Sequence, residues 1–343
     1  MTAIPPVTAT EAVPTPQAGQ QEELLVITHD SFSVSEWVAK EFETANNAKL
    51  TFLKSGDTGS ALNRVILSKE NPQADVFYGV DNTFLSRALE ADIFEPYASP
   101  MLELIPAEFQ LDGLMRALPV DYGDVCINYD KAYFAEKGIA LPQSLQSLTD
   151  PVYQGLLVVQ NPATSSPGLA FLLATVAEFG DPDFLEYWKA LRANDVVVVN
   201  DWETAYYTNF SGSSGKGSQP LVVSYATSPV AEVVFAEQEL KESPTGSIVA
   251  PNTCFRQIEF VGILKGTQKR ALAEKFVDFM LGLTFQQDVP LQMFVYPVNR
   301  EASMPEAFVK HAQIPEQPAV LSVEEIGQKR EEWIKAWTEV VLK

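Results

Sequence analysis

Short apolar runs alternate with amphipathic helical stretches along most of this chain, and that alternation restricts its fold more than any other feature. LLVIT (24–28) precedes 33–42, where Val34, Trp37, Val38 and Phe42 share one helical face. LTFL (50–53) precedes a helical 60–70, and DVFYGV (75–80) precedes another helix. A second set repeats the rhythm: LLVVQ (156–160), a helix opening at 164-TSSPG-168, a helix over 182–194, VVVVN (196–200), LVVSY (221–225) and a helix from Pro229. Strands that are apolar throughout belong to parallel sheets covered on both faces. Segment 118–130 reads as a long extended crossing, and 259–266 with 268–282 adds a strand and a helix. A capping box, 322-SVEE-325, opens a last helix whose stripe of Ile326, Trp333, Trp337 and Val341 reads as packing. One sheet does not hold this much alternating structure. The expectation is an α/β fold of two lobes joined by two or more crossing strands. Residues 23–120 with 251–285 form one lobe. Residues 121–250 with 286–343, including the C-terminal helices, form the other.

The 343 residues carry a formal charge of −21, which repels nucleic acid and anionic membrane surfaces and favours cationic ligands. Residues 1–22, rich in Pro, Thr and Ala and free of Lys and Arg, read as a disordered tether without the basic and apolar regions of a signal segment. They suit either a cytosolic terminus or the spacer of an exported protein. Two histidines exclude a multi-histidine metal site, and the two cysteines, Cys126 and Cys254, either pair or stay free.

Three strand-to-helix junctions share one chemistry: 55-SGDTGSALN-63, 164-TSSPGLAF-171 and 225-YATSPVAEV-233. Each ends a strand with small polar residues and begins a helix. Such ends present free N–H groups and a positive dipole, suited to a phosphate or carboxylate. Aromatics lie close by in sequence: Trp202, Tyr206 and Tyr207 after one strand, Tyr225 at the end of another, and Phe294 and Tyr296 beside a turn proline. Aromatic faces stack on flat heterocycles and attract cations. Together these features point to a cationic aromatic ring with a phosphate or hydroxyl tail. His29, in THDSF, reads as a hydrogen-bonding contact. No catalytic motif is present, and 212-GSSGKGS-218 lacks phosphate-loop spacing and reads as a surface loop.

The stretches 28-THDSF-32, 62-LNRV-65, 74-ADVFYGVDN-82, 121-DYGDVCINYDK-131, 164-TSSPGL-169, 202-WETAYY-207, 224-SYATSP-229 and 296-YPVN-299, in this order, resemble the thiamine-binding proteins of ABC importers. The resemblance covers the chain from about residue 23 onward. It implies a periplasmic-binding-protein-like fold of type II, with the ligand gripped at the hinge. It implies a monomer without a cofactor, periplasmic or anchored at the cell surface, that hands thiamine or its phosphates to a membrane permease and does no chemistry on them. The implied ligand contacts are Asp57 and Thr58, Ser165 and Ser166 at the phosphate end, Trp202, and the turn Tyr225, Ala226, Thr227 and Ser228. His29, Asp30, Phe294 and Tyr296 complete the set. His29, Phe294 and Ala231 stand where better-known members have tyrosine, tryptophan and tyrosine. Two alternatives share the architecture. One is a ferric-ion binder using Tyr206, Tyr207 and His29, since phenolate oxygen suits a hard ion. The other is a thiamine-degrading enzyme with Cys126 as nucleophile.

Overall fold

The computed structural model describes residues 21–213 and 217–343. The tether therefore lies outside the described residues as far as Gln20, and so do positions 214–216 of the Gly/Ser loop. Glu22, the last residue expected in the tether, lies instead in a strand and pairs with Ala48.

The strands are β1 (Glu22–Thr28), β2 (Ala48–Lys54), β3 (Val76–Asp81), β4 (Phe94–Glu95), β5 (Leu118–Asp130), β6 (Leu157–Gln160), β7 (Val197–Val199), β8 (Leu221–Tyr225), β9 (Thr245–Ile248), β10 (Phe255–Leu264) and β11 (Tyr296–Pro297). The helices are α1 (Glu36–Asn46), α2 (Thr58–Leu67), α3 (Leu85–Glu90), α4 (Lys131–Lys137), α5 (Ser166–Phe179), α6 (Phe184–Ala193), α7 (Ser228–Val234), α8 (Arg270–Leu281), α9 (Leu283–Gln292), α10 (Glu306–His311) and α11 (Val323–Val341). The eleven strands hydrogen-bond into one continuous sheet with main order β2-β1-β3-β10-β5-β8-β6-β7, which corrects the expectation that one sheet could not hold them: β10 and β5 pair with each other and bridge the two flanks. Each flank is parallel, β2-β1-β3 on one side and β8-β6-β7 on the other, as their mostly apolar runs suggest. The two long strands β10 and β5 run antiparallel to each other between the flanks. This is the mixed α/β, two-lobe fold of type II periplasmic binding proteins, with β5 and β10 as connectors.

Helices cover both faces. Phe42 of α1 meets Phe276 of α8 edge-on at 5.2 Å. The stripe of α11 is packing, as its spacing suggests: Ile326, Trp333, Trp337 and Val341 are buried, and Trp337 meets Trp188 of α6 at 5.5 Å. Fully burying a large apolar side chain contributes about 1.5–3 kcal/mol. The Ser322 side chain accepts from the Glu325 N–H at 3.1 Å, the first half of the expected capping box. Helix α11 packs against α6 from one flank and α3 from the other, so it straps the two together. The segment expected as one helix over 268–282 continues, after Gly282, into α9.

Cys126, in β5, and Cys254, just before β10, form a disulfide. This corrects the nucleophile reading of Cys126: no thiol is left to attack a substrate.

Candidate functional site

A cleft of about 310 Å³ opens where β1, β2, β7 and β8 end and α2, α5 and α7 begin. Open α/β sheets bind ligands at this edge. Of the expected residues, His29, Asp30, Asp57, Thr58, Ser166, Trp202, Tyr225, Ser228 and Phe294 line it, and so do Tyr206 and Tyr207.

The three helix starts do converge on the cleft, but their side chains are largely spoken for. Thr58 Oγ1 donates to the Gly79 carbonyl at 2.8 Å. Ser228 Oγ lies 2.8 Å from Ser224 Oγ, which accepts from Trp202 Nε1 at 2.9 Å. Ser166 donates across the cleft to Asp81, at the end of β3. Asp57 accepts from the Trp202 N–H at 2.9 Å, again across the cleft. The anion at the start of α5 is thus one of the protein's own carboxylates, Asp81. The flanks come so close here that a Cβ on Gly59 would lie 2.9 Å from the Ala163 and Thr164 carbonyl oxygens. Glycine at 59 is a condition of closure.

Four expected contacts stand apart from the lining. Ser165 is fully buried, and its hydroxyl has no hydrogen-bond partner among the described residues. Ala226 is buried in the cluster around the disulfide. The Thr227 hydroxyl is turned away to the Phe294 carbonyl. Tyr296 stacks on Tyr122 at 5.2 Å and meets Phe308 edge-on.

One wall is aromatic. Trp202 and Tyr206 stack at 5.0 Å with 17° between their planes, and Tyr207 meets both edge-on. The backbone over Thr204–Asn209 is a short π-helix, which sets Tyr206 and Tyr207 side by side. Tyr206 donates to Glu232 at 2.8 Å, and burial, followed by the Glu232 charge, holds its phenol well above its ordinary range. A ferric ligand needs the phenolate, so this tyrosine is set against that use.

The floor is acidic, and sequence inspection missed its centre. Asp81, Glu259 and Asp121 sit side by side on β3, β10 and β5, in register across three adjacent strands. Like charges placed directly opposite each other destabilise a sheet. Burial, and then the Asp81 charge, pushes Glu259 up to about 8. Burial pushes Asp81 and Asp57 up to about 6. Asp121 is held well above the carboxylate range by burial and by Glu259. The hydrogen bonds tell the same story. Tyr78 Oη lies 2.5 Å from Asp121 Oδ2 and 3.0 Å from Glu259 Oε2, yet its hydroxyl has one hydrogen to give. The other contact requires a protonated carboxyl. His29 Nε2 is 3.4 Å from Glu259, but burial lowers its pKa, so it is neutral at pH 7 and does not balance the row. Its ring sits against Gly79, whose φ of +104° suits glycine and whose added Cβ would lie 2.6 Å from His29 Cδ2. Among the described residues, Lys54 is the one lysine or arginine of the lining. Also missed were Gln257, Glu203 and Phe235. For Gln257 and Glu259 a signal existed, since polar residues interrupt the apolar run of β10.

Two α/β flanks joined by paired connectors, with a lined cleft at the junction, define a solute-binding protein. The chain belongs to the bacterial extracellular solute-binding protein family, whose profile matches residues 71–329. It is 30% identical to the thiamine-binding periplasmic protein of Brucella melitensis, covering 94% of this chain and 93% of that protein. It is also 30% identical to the thiamine-binding periplasmic protein of Escherichia coli, covering 93% of each. A solved periplasmic thiamin binding protein superposes with a TM-score of 0.82 at 28% identity, over 96% of this chain and 99% of that one. Iron-bound HitA from Pseudomonas aeruginosa shares the fold, with a TM-score of 0.75 at 18% identity over 93% of this chain and 99% of that one.

Proposed function

We propose that this protein binds thiamine in the cleft outside the cytoplasm and delivers it to the permease of an ABC importer, acting as a monomer and leaving the vitamin unchanged. The observation that carries the reading is the pairing of the stacked Trp202–Tyr206 wall with an acidic lining in which, among the described residues, Lys54 is the one Lys or Arg. A flat, permanently positive heterocycle gains from both: aromatic faces attract cations by about 0.5–2 kcal/mol each. The similarity to thiamine-binding periplasmic proteins supports the same ligand. The Cys126–Cys254 disulfide suits an oxidising compartment. The proposed division keeps 23–120 with 251–285 in one lobe and the remainder in the other, although the boundary at 285/286 falls inside α9.

Thiamine phosphates are a second reading, and Lys54 favours it. The start of α5 does not, because Asp81 already occupies it. Calorimetric titration with thiamine, its mono- and diphosphate, and ferric ion tests the proposal. Thiamine should bind most tightly, and Lys54→Ala should weaken the phosphates while sparing thiamine. A visible charge-transfer band with ferric ion, and no heat with thiamine, would reverse the reading.

A further inference from the structure

Phe235 caps the C-terminus of α7, and its backbone N–H bonds the Ala231 carbonyl at 2.9 Å. One helical turn apart, the two side chains share a face, and both line the cleft. Ala231 leaves room, and Phe235 projects into it with 70% of its surface exposed. Scattered exposed apolar residues are ordinary. This one is not isolated. Its ring meets Phe294 at 5.2 Å with 63° between planes. Phe294 is itself held at φ +54°, a left-handed conformation that a bulky residue adopts only under constraint. The constraint is visible: the Phe294 carbonyl accepts from Thr227 Oγ1, and its ring lies parallel to Phe308, 11° apart. The fold therefore accepts backbone strain to aim one ring at the cleft, and a second, exposed ring is set edge-on against it. An edge-on pair leaves a ring face free for a flat partner.

We propose that Phe235 is a specificity-determining ligand contact, forming with Phe294 a second aromatic wall that is separate from Trp202–Tyr206 and receives one ring of a flat, two-ring cationic ligand. This rests on the thiamine reading. The Trp202 wall takes one ring, the phenylalanine wall takes the other, and the connecting carbon spans Ala231. Because Phe235 is largely exposed and packs into no core, its contribution belongs to binding and not to folding.

Thiamine titrations of the wild type, Phe235→Ala and Phe235→Leu, each paired with a melting curve of the ligand-free protein, test this. Phe235→Ala should raise the thiamine dissociation constant about three- to tenfold, the range of one lost aromatic contact. Phe235→Leu, which keeps apolar bulk and loses the ring face, should recover less than half of that loss on a logarithmic scale. The ligand-free melting temperatures should coincide. An unchanged dissociation constant in Phe235→Ala, full recovery by Phe235→Leu, or a clear drop in the ligand-free melting temperature would overturn the assignment while leaving the thiamine reading in place. Absence of thiamine binding by the wild type would overturn both.

Discussion

Replacing Glu259 by Gln removes the middle carboxyl of the row Asp81–Glu259–Asp121 while keeping its shape and a donor for Tyr78. In the wild type Glu259 is raised from the ordinary glutamate value to about 8. A carboxyl whose native pKa lies above its unfolded value holds more protons folded than unfolded, so stability falls as pH rises between the two values. The contribution is complete below the unfolded value and is lost as pH passes through about 8. At ~1.36 kcal/mol per unit, raising the pH from about 5.5 to about 8.5 should cost the ligand-free protein about 3 kcal/mol through this one group. Asp57 and Asp81, raised to about 6, add a smaller loss at the acid end of that window. In Glu259→Gln the loss across the window should shrink to less than half, and the variant should be more stable than wild type at the alkaline end. Urea unfolding at several pH values, followed by circular dichroism, reads this directly. The general repulsion of a chain with a net charge of −21 affects both proteins alike, so the difference between them isolates Glu259. Parallel curves for wild type and variant, or wild-type stability that rises with pH across the window, would refute the proton-sharing account of the row.

Trp202→Ala should weaken thiamine binding at least tenfold by calorimetry, since it removes the stacked face over Tyr206; an unchanged affinity would remove Trp202 from the site. Gly59→Ala should improve helix propensity in α2 by about 1 kcal/mol yet hold the flanks apart, because its Cβ meets two backbone carbonyls. The expected signature is undiminished melting temperature with at least tenfold weaker ligand binding and no compaction on ligand addition in small-angle scattering. Cys126→Ser with Cys254→Ser should lower unfolding stability by about 2–5 kcal/mol while leaving ligand affinity within about twofold; loss of binding in a folded double mutant would mean the bridge shapes the cleft.

Much of this architecture is written locally. The parallel strands β1, β2, β3, β6 and β8 read as apolar runs because both their faces are covered, and the starts of α2, α5 and α7 announce themselves by Ser, Thr, Asp and Pro. What those starts face was hidden. Ser166 meets Asp81 across 85 positions, and Asp57 meets Trp202 across 145, so the apparent anion site at the start of α5 is met by one of the chain's own acids. The start of β10 was obscured by Arg256, Gln257 and Glu259, whose polarity comes from facing the cleft and the neighbouring strands. The two-residue strands β4 and β11 are too short to carry any period. Phe235 gave no signal, since one phenylalanine after a helix is indistinguishable from a packing residue until its exposure and its neighbour Phe294 are known.

The connectors are stiff at one end. The disulfide ties β5 to the residue before β10, and Arg256 grips Asp124 with two bonds of 3.0 Å. A few residues on, pairing slips: β10 loses register with β5 between Glu259 and Phe260, and with β3 between Phe260 and Val261. Such slips are where strands bend. A hinge at these slips would coincide with the place where a proton is stored. Jaw angle and acid strength would then be linked: since burial is what raises Glu259, any opening there would wet its carboxyl and make it give up its proton more readily.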